Sequence, residues 1–307
     1  MTRNCRRSGR VLAMTSFVAV LLFSLTVYGA WQSGRSTPRP APAPVKLYVF
    51  DCGILEGADS SRFGLKTDEV ATIRMSVACY LIVHSKGTLM WDVGAVPDTS
   101  WTPNGKPVTR TLTLPGLGDR KVTMLKRLNA QLDEVGYPAS TITHLSLSHY
   151  HWDHTANANE FARAIWLVRQ VERDAMFPET PPVAGLTFPA TYEALRTSKT
   201  VVMKSDEHDV FGDGTVVAKL APGHTPGHQV LYVKLAKTGP VVLSGDLYHY
   251  PEERTLNRLP IFEVNQDQTR ASRASIDTFL KKTGAQFWIQ HDFTANAKLK
   301  KAPAFYE

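Results

Sequence analysis

The run Ser148-His149-Tyr150-His151-Trp152-Asp153-His154 places four side chains able to ligate a metal within six consecutive positions. In a loop leaving a strand, alternate residues point to one side, so His149 and His151 can converge on one ion. Asp153 and His154 are then offset toward a second. Imidazole and carboxylate together suit zinc and its first-row divalent neighbours. The chain has only ten histidines, so three clustered about one aspartate argue against a polar surface loop with incidental histidines. Further candidates stand where other apolar runs end. Ala221-Pro222-Gly223-His224-Thr225-Pro226-Gly227-His228 follows one such run, and its glycines and prolines shape a tight turn that presents a histidine. Asp246 leaves another run in Ser244-Gly245-Asp246, and His291 a third in Gln290-His291-Asp292. Singly, each would be an ordinary turn residue; in this order they reinforce the first cluster.

The elements that must carry these residues alternate between strand-like and helix-like segments from Lys46 onward. KLYVFDCG (46–53) is a short apolar run, and VACYLIVHSKGTLMWDVG (77–94) reads as a hairpin turning at Ser85-Lys86-Gly87. Leu125, Leu128, Leu132 and Val135 recur at helical spacing within 124–135, and Gly136-Pro138 ends that helix. ITHLSLS (142–148), AIWLV (164–168), TVVAKLA (215–221), VLYVKL (230–235), PVVLSGD (240–246) and FWIQHD (287–292) read as strands, with 274–280 in a late helix. A hairpin-rich block followed by mixed elements implies two sheets covered by helices.

The order H-x-H-x-D-H, P-G-H-T, G-D and a late histidine resembles the ligand series of the metallo-β-lactamase superfamily across 46–307. The resemblance implies an α+β fold, a four-layer αββα sandwich with two metals at one edge of its sheets. It assigns His149, His151 and His224 to one metal and Asp153, His154 and His291 to the other. Asp246 would bridge them, while His228 and the Asp92 of Trp91-Asp92-Val93-Gly94 would support the site from behind. Zinc is the default ion, with iron, manganese or cobalt also compatible with such ligands.

Two divalent ions close together lower the pKa of water enough to attack an ester or lactone carbonyl at neutral pH. Asp153 or a neighbouring acid would return the proton to the leaving oxygen. Fold alone does not choose among lactone, thioester, β-lactam and phosphodiester substrates, nor exclude a non-catalytic metal-binding module, though no ligand position of the series is missing. The opening LYVFDCG, the PGHTPGHQ segment, the SGD bridge and the QHD ending look most like the N-acyl-homoserine lactonase family. That family often has a tyrosine three residues after the bridging aspartate, where this chain has His249, with Tyr248 one residue earlier. Four readings stand open: His249 replaces the tyrosine, Tyr248 swings in, the preferred substrate differs, or Tyr248, His249 and Tyr250 merely cap the site wall. The segment Phe177–Leu195 is expected to border the substrate entrance or to pack on itself.

The formal charge of +7 is uneven. Arg3, Arg6, Arg7 and Arg10 precede an apolar stretch from Val11 to about Ala30, which reads as a signal peptide or uncleaved membrane anchor over residues 1–30. Beyond it, 31 basic face 28 acidic residues, too even a balance for a nucleic-acid partner. A Pro-rich linker occupies 31–45, and the folded domain runs over 46–307. The expected location is periplasmic or secreted, with membrane contact only through the N-terminal segment if it is retained, and the expected partner is a small lactone or ester. Cys52 and Cys79 lack metal-type spacing and are expected as two buried free thiols.

Overall fold

The computed structural model describes residues 44–114, 118–179 and 186–307. The expected signal or anchor at 1–30 and nearly all of the linker lie outside these residues. In chain order come β1 (Lys46–Glu56), β2 (Met75–His84), β3 (Gly87–Trp91), β4 (Val108–Leu114) and β5 (Gly118–Met124), then α1 (Leu128–Glu134). Next are β6 (His144–Ser146), α2 (Trp152–Thr155), β7 (Ile165–Val168), α3 (Gln170–Met176), β8 (Thr200–Val202) and β9 (Glu207–Asp209). The chain ends with β10 (Val216–Leu220), β11 (Gln229–Leu235), β12 (Gly239–Leu243), α4 (Pro251–Thr255), α5 (Gln266–Thr283), β13 (Gln286–Trp288), α6 (Phe293–Asn296) and β14 (Phe305–Tyr306).

One sheet has the order β4-β5-β1-β2-β3-β6-β7-β8, with β14 also paired to β1; the other has the order β13-β12-β11-β10-β9. The period of two in each strand sorts side chains into layers. On β1 and β2, Leu47, Val49, Ala78, Tyr80 and Ile82 face the second sheet, where they meet Val216, Ala218, Leu231, Val233, Val241 and Leu243. Their alternates Tyr48, Phe50, Cys79 and Leu81 turn the other way, onto Leu128 and Leu132 of α1 and Met176 of α3. The outer face of the second sheet places Val230 and Val242 against Ile276 and Leu280 of α5. Helix, sheet, sheet and helix therefore follow one another, the expected αββα sandwich. Each fully buried Leu, Ile or Val in these layers contributes on the order of 1.5–3 kcal/mol.

Local chemistry sets the element ends. Helix α5 starts where the Asn265 side chain accepts a hydrogen bond from the Gln268 N–H, and stops at Gly284 in the left-handed region (φ 66°). Helix α1 begins later than the apolar spacing suggests, because Met124 belongs to β5, opposite Val108. The β4–β5 hairpin carries little sequence signal: its outward residues are polar, and only Leu114, Val122 and Met124 of the pair are buried.

The two cysteines are not free thiols. Cys52 and Cys79 form a disulfide with Cα atoms 6.0 Å apart. Phe50 sits opposite Cys79, and the β1–β2 register shifts between Asp51 and Ile54. Cys52, two residues beyond Phe50, thus lies on the same face and diagonal to Cys79, a relation that sequence spacing does not reveal. The bridge closes a separation of 27 residues. Replacing Cys52→Ala is expected to lower unfolding free energy by about 3 kcal/mol. In denaturant titrations, reductant should shift the parent protein to the variant's midpoint and leave the variant unmoved.

Candidate metal centre

The candidate ligands emerge from turns at one edge of the two sheets, and each turn is tied down by its own buried polar contact. After β3 the chain enters Asp92 at φ 55°, a left-handed conformation uncommon for a side chain with a Cβ. That turn aims the Asp92 carboxylate at the next strand's exit. It accepts hydrogen bonds from the Ser148 N–H at 2.7 Å and Ser148 Oγ at 2.9 Å, and its Oδ2 lies 2.9 Å from His154 Nδ1. His149 and His151 follow directly, and Asp153 and His154 sit on the single turn of α2.

His224 lies in the turn between β10 and β11. Gly223 (φ 133°) packs so closely on Thr269 in the first turn of α5 that a Cβ there has no room. His224 Nδ1 meets Glu263 Oε1 at 2.9 Å. Burial works to raise the Glu263 carboxyl, but the facing His224 outweighs it and holds the group at about 2. Four residues on, His228 has Nδ1 2.9 Å from the Ala221 carbonyl, so Nδ1 donates. Its Nε2 accepts from the Asp246 N–H at 2.9 Å. Burial, with His224 nearby, pushes His228 down to about 3. His228 therefore positions the Asp246 backbone and offers nothing forward. His291 follows β13, its Nδ1 2.7 Å from the Ser76 carbonyl.

These anchors leave the remaining nitrogens pointing inward. His149, His151, His224 and Asp246 form one buried group whose ligand atoms lie within 4.8 Å of one another; Asp153, His154 and His291 form a second. Asp246 joins them. Its Oδ2 is 3.6 Å from His149 Nε2 and 3.4 Å from His224 Nε2, while its Oδ1 is 3.1 Å from His154 Nε2 and 3.0 Å from His291 Nε2. Burial would raise this carboxyl, but His154, His291 and the other histidines hold it well below the usual carboxylate range. His149 Nε2, His154 Nε2 and Asp246 Oδ1 are buried without any hydrogen-bond partner. Orphaned acceptors converging this way fit divalent cations, and the donor set suits two of them.

His249 also joins the cluster, with Nε2 3.2 Å from Asp246 Oδ2 and Nδ1 3.2 Å from Glu253 Oε1. Burial pulls its pKa down, but Glu253 and Asp246 overcome this and push it up to about 10. Tyr248 does not reach the site. Its ring packs at 5.9 Å against Phe287, with the Arg273 guanidinium 4.0 Å over its face, in the apolar layer beneath α5. Backbone alternation explains this: with His249 facing inward, its neighbour must face out. Of the segment 177–195, Leu186 lines the cleft and Phe188 packs on Trp152, whereas Phe177 and Tyr192 turn into the core.

Sequence spacing missed three supporting carboxylates, Glu172, Glu253 and Glu263. Glu172, on α3, accepts from the Tyr150 N–H (2.9 Å), the Gly227 N–H (2.7 Å) and Thr225 Oγ1 (2.8 Å), pinning two ligand turns together. Burial pushes it up to about 7 against those hydrogen bonds. Only for Glu253, four residues after His249, was there any local signal.

The family profile of the metallo-beta-lactamase superfamily matches residues 72–285. The N-acyl homoserine lactonase AttM of Azorhizobium caulinodans is 27% identical over 268 residues, covering 86% of this chain and 99% of its own. AiiA of Bacillus thuringiensis subsp. kurstaki, also an N-acyl homoserine lactonase, is 23% identical and covers 76% of this chain and 88% of its own. A solved N-acyl homoserine lactone hydrolase, with N-hexanoyl-L-homoserine at its catalytic metal centre, has a TM-score of 0.69 at 21% identity, covering 86% of this chain and 99% of that one. The dizinc quorum-quenching lactonase AidC gives 0.61 at 18% identity, covering 87% and 95%. At these identities the structural likeness is one of fold.

Removing the acceptor behind His224 should loosen the ion it faces. Glu263→Ala is expected to weaken metal affinity roughly 10- to 100-fold, read by competition with a chromogenic chelator.

Proposed function

The chain belongs to the metallo-beta-lactamase superfamily, and we propose that it is a dinuclear-metal lactonase opening the ring ester of N-acyl-homoserine lactones. The observation that carries this reading is the single buried carboxylate of Asp246, whose two oxygens face separate ligand groups. The lactonase relatives that match over nearly their whole length favour a lactone among the substrates such a site can hydrolyse. Zinc is the proposed ion. Two divalent ions held by these groups would supply the acidified water and the carbonyl polarisation that ester hydrolysis needs at neutral pH.

The rest falls to the chain's own residues. The ligands open onto a cleft walled by Leu55, Phe63, Met75, Trp152, Leu186 and Phe262. These apolar walls hold an acyl arm and keep bulk water from the ring. Water adds to the ring carbonyl carbon, the ring C–O bond breaks, and the leaving oxygen takes a proton. The product hydroxy acid then ionises, releasing one proton per turnover. Asp153 and His249 both line the cleft and stand where a proton can be returned to that oxygen. Glu253 fixes the His249 ring through Nδ1, so Nε2 is the nitrogen offered to substrate.

We place this activity outside the cytoplasm. The arginine-then-apolar N-terminus supports export, as does the Cys52–Cys79 disulfide, since such bonds persist in oxidising compartments.

Proton release on adding a long-chain N-acyl-homoserine lactone to the zinc-loaded protein tests the reading. The expected kcat/KM exceeds about 10⁴ M⁻¹s⁻¹, with activity lost in Asp246→Ala and on chelation, and restored by zinc. A protein that binds two metals but leaves these lactones intact would sink it. His249→Phe is expected to lower kcat roughly 100-fold at unchanged metal content, with His249→Tyr recovering part of the loss. Metal analysis beside steady-state kinetics separates this from ligand loss.

A further inference from the structure

Two arginines line the cleft that the lactonase reading leaves without a task. Arg62 and Arg120 both contribute to its wall, among side chains that are otherwise apolar or belong to the metal groups. Neither has a carboxylate within ion-pair distance among the described residues, unlike Arg74 and Arg254 nearby on the surface, which pair with Glu56 and Asp277. Arg120 bonds only the Asp119 carbonyl beside it, at 3.0 Å. The Arg62 guanidinium lies 5.9 Å from the centre of the Phe262 ring. Both side chains line the same cleft; desolvation, and then the charge of Arg62, lower the Arg120 pKa, with Tyr250 and the exposed Asp59 carboxylate acting the other way. Like charges held together on an apolar wall cost stability and are neutralised most readily by an anion.

The positions set an order along the cleft. Phe262 lies 5.5 Å from His249 and 6.0 Å from His224 by ring centres, and Phe63 lies 4.9 Å from His249. The two rings meet edge to face at 5.2 Å. An arm leaving the metal groups thus crosses Phe63 and Phe262 before it reaches the Arg62 head, which Phe262 also touches. Guanidinium forks match a carboxylate's two oxygens, and two forks can share one such group.

We propose that Arg62 and Arg120 form a carboxylate subsite, so that the favoured substrates are lactones or esters whose acyl arm ends in a carboxylate. This deepens the lactonase reading and rests on the same cleft, but not on turnover. The test is therefore binding first and catalysis second. Calorimetric titration of the zinc-loaded full chain with decanoate and decanedioate compares an arm lacking the distal carboxylate with one bearing it. Decanedioate is expected to bind about tenfold tighter, the scale of a charge-assisted hydrogen bond. The preference should shrink with added salt. In Arg62→Gln and Arg120→Gln it should collapse toward unity, while Arg120→Lys keeps part of it, which separates lost charge from lost folding. Equal binding of the two acids by the parent protein overturns the proposal, as does a preference indifferent to both substitutions. Paired N-acyl-homoserine lactones, with and without a terminal carboxylate, then read the two ideas apart. If neither ring opens while decanedioate is still preferred, the lactonase reading fails and the subsite stands. If both open equally and the acids bind equally, the reverse holds.

Discussion

Burying one carboxylate among five imidazoles is the constraint around which the molecule is arranged. Asp246 has histidine nitrogens between 3.0 and 3.6 Å from its oxygens. A buried charge is costly unless it is paired or coordinated. The rings cannot drift apart to soften the arrangement, because each is held from behind. Ser148 Oγ holds His149, Asp92 holds His154, Glu263 holds His224, Glu253 holds His249, and the Ser76 carbonyl holds His291. The outer contacts decide which nitrogen faces inward, so the electrostatics of the centre are set one layer away from it.

That outer layer also explains where the backbone departs from ordinary conformations. Asp92 adopts a left-handed φ so that one carboxylate reaches both Ser148 and His154. Gly245, at φ 50°, lets the Asp246 turn press against His228 and Ser148, where a Cβ would approach both to 2.7 Å. Gly227 admits the Glu172 side chain in the same way. Asp92, Gly227 and Gly245 thus let the backbone close up beneath the ligands, in keeping with a rigid scaffold bearing a preorganised site.

The sequence made the centre legible because its signal is local. His149, His151, Asp153 and His154 fall within one loop, and His224, Asp246 and His291 each follow an apolar run. The layers were legible for a related reason: long strands such as β1 and β2 carry uninterrupted apolar runs that only burial on both faces explains. What stayed hidden depends on register and on contacts across the chain. The Cys52–Cys79 bridge follows from the β1–β2 register, and the Glu172 clamp from α3 packing against two turns distant in sequence. Tyr248 and His249 could not be told apart as site residues without knowing which one the backbone turns inward. The β4–β5 hairpin, polar on its outer side, offered little periodicity to read.

The ligand groups draw on both sheets and on residues from His149 to His291, nearly half the chain. No short stretch of unfolded polypeptide reproduces such a set, so cations bind the native state in preference to the denatured ensemble. By mass action their supply adds to folding stability, by about 2.7 kcal/mol for free metal at a hundredfold excess over its dissociation constant. A chain without its metal would accordingly be the more exposed to unfolding and proteolysis. Bound ions would thus serve as fasteners between the two halves of the sandwich, and scarcity of metal would shorten the lifetime of the protein as well as silence it.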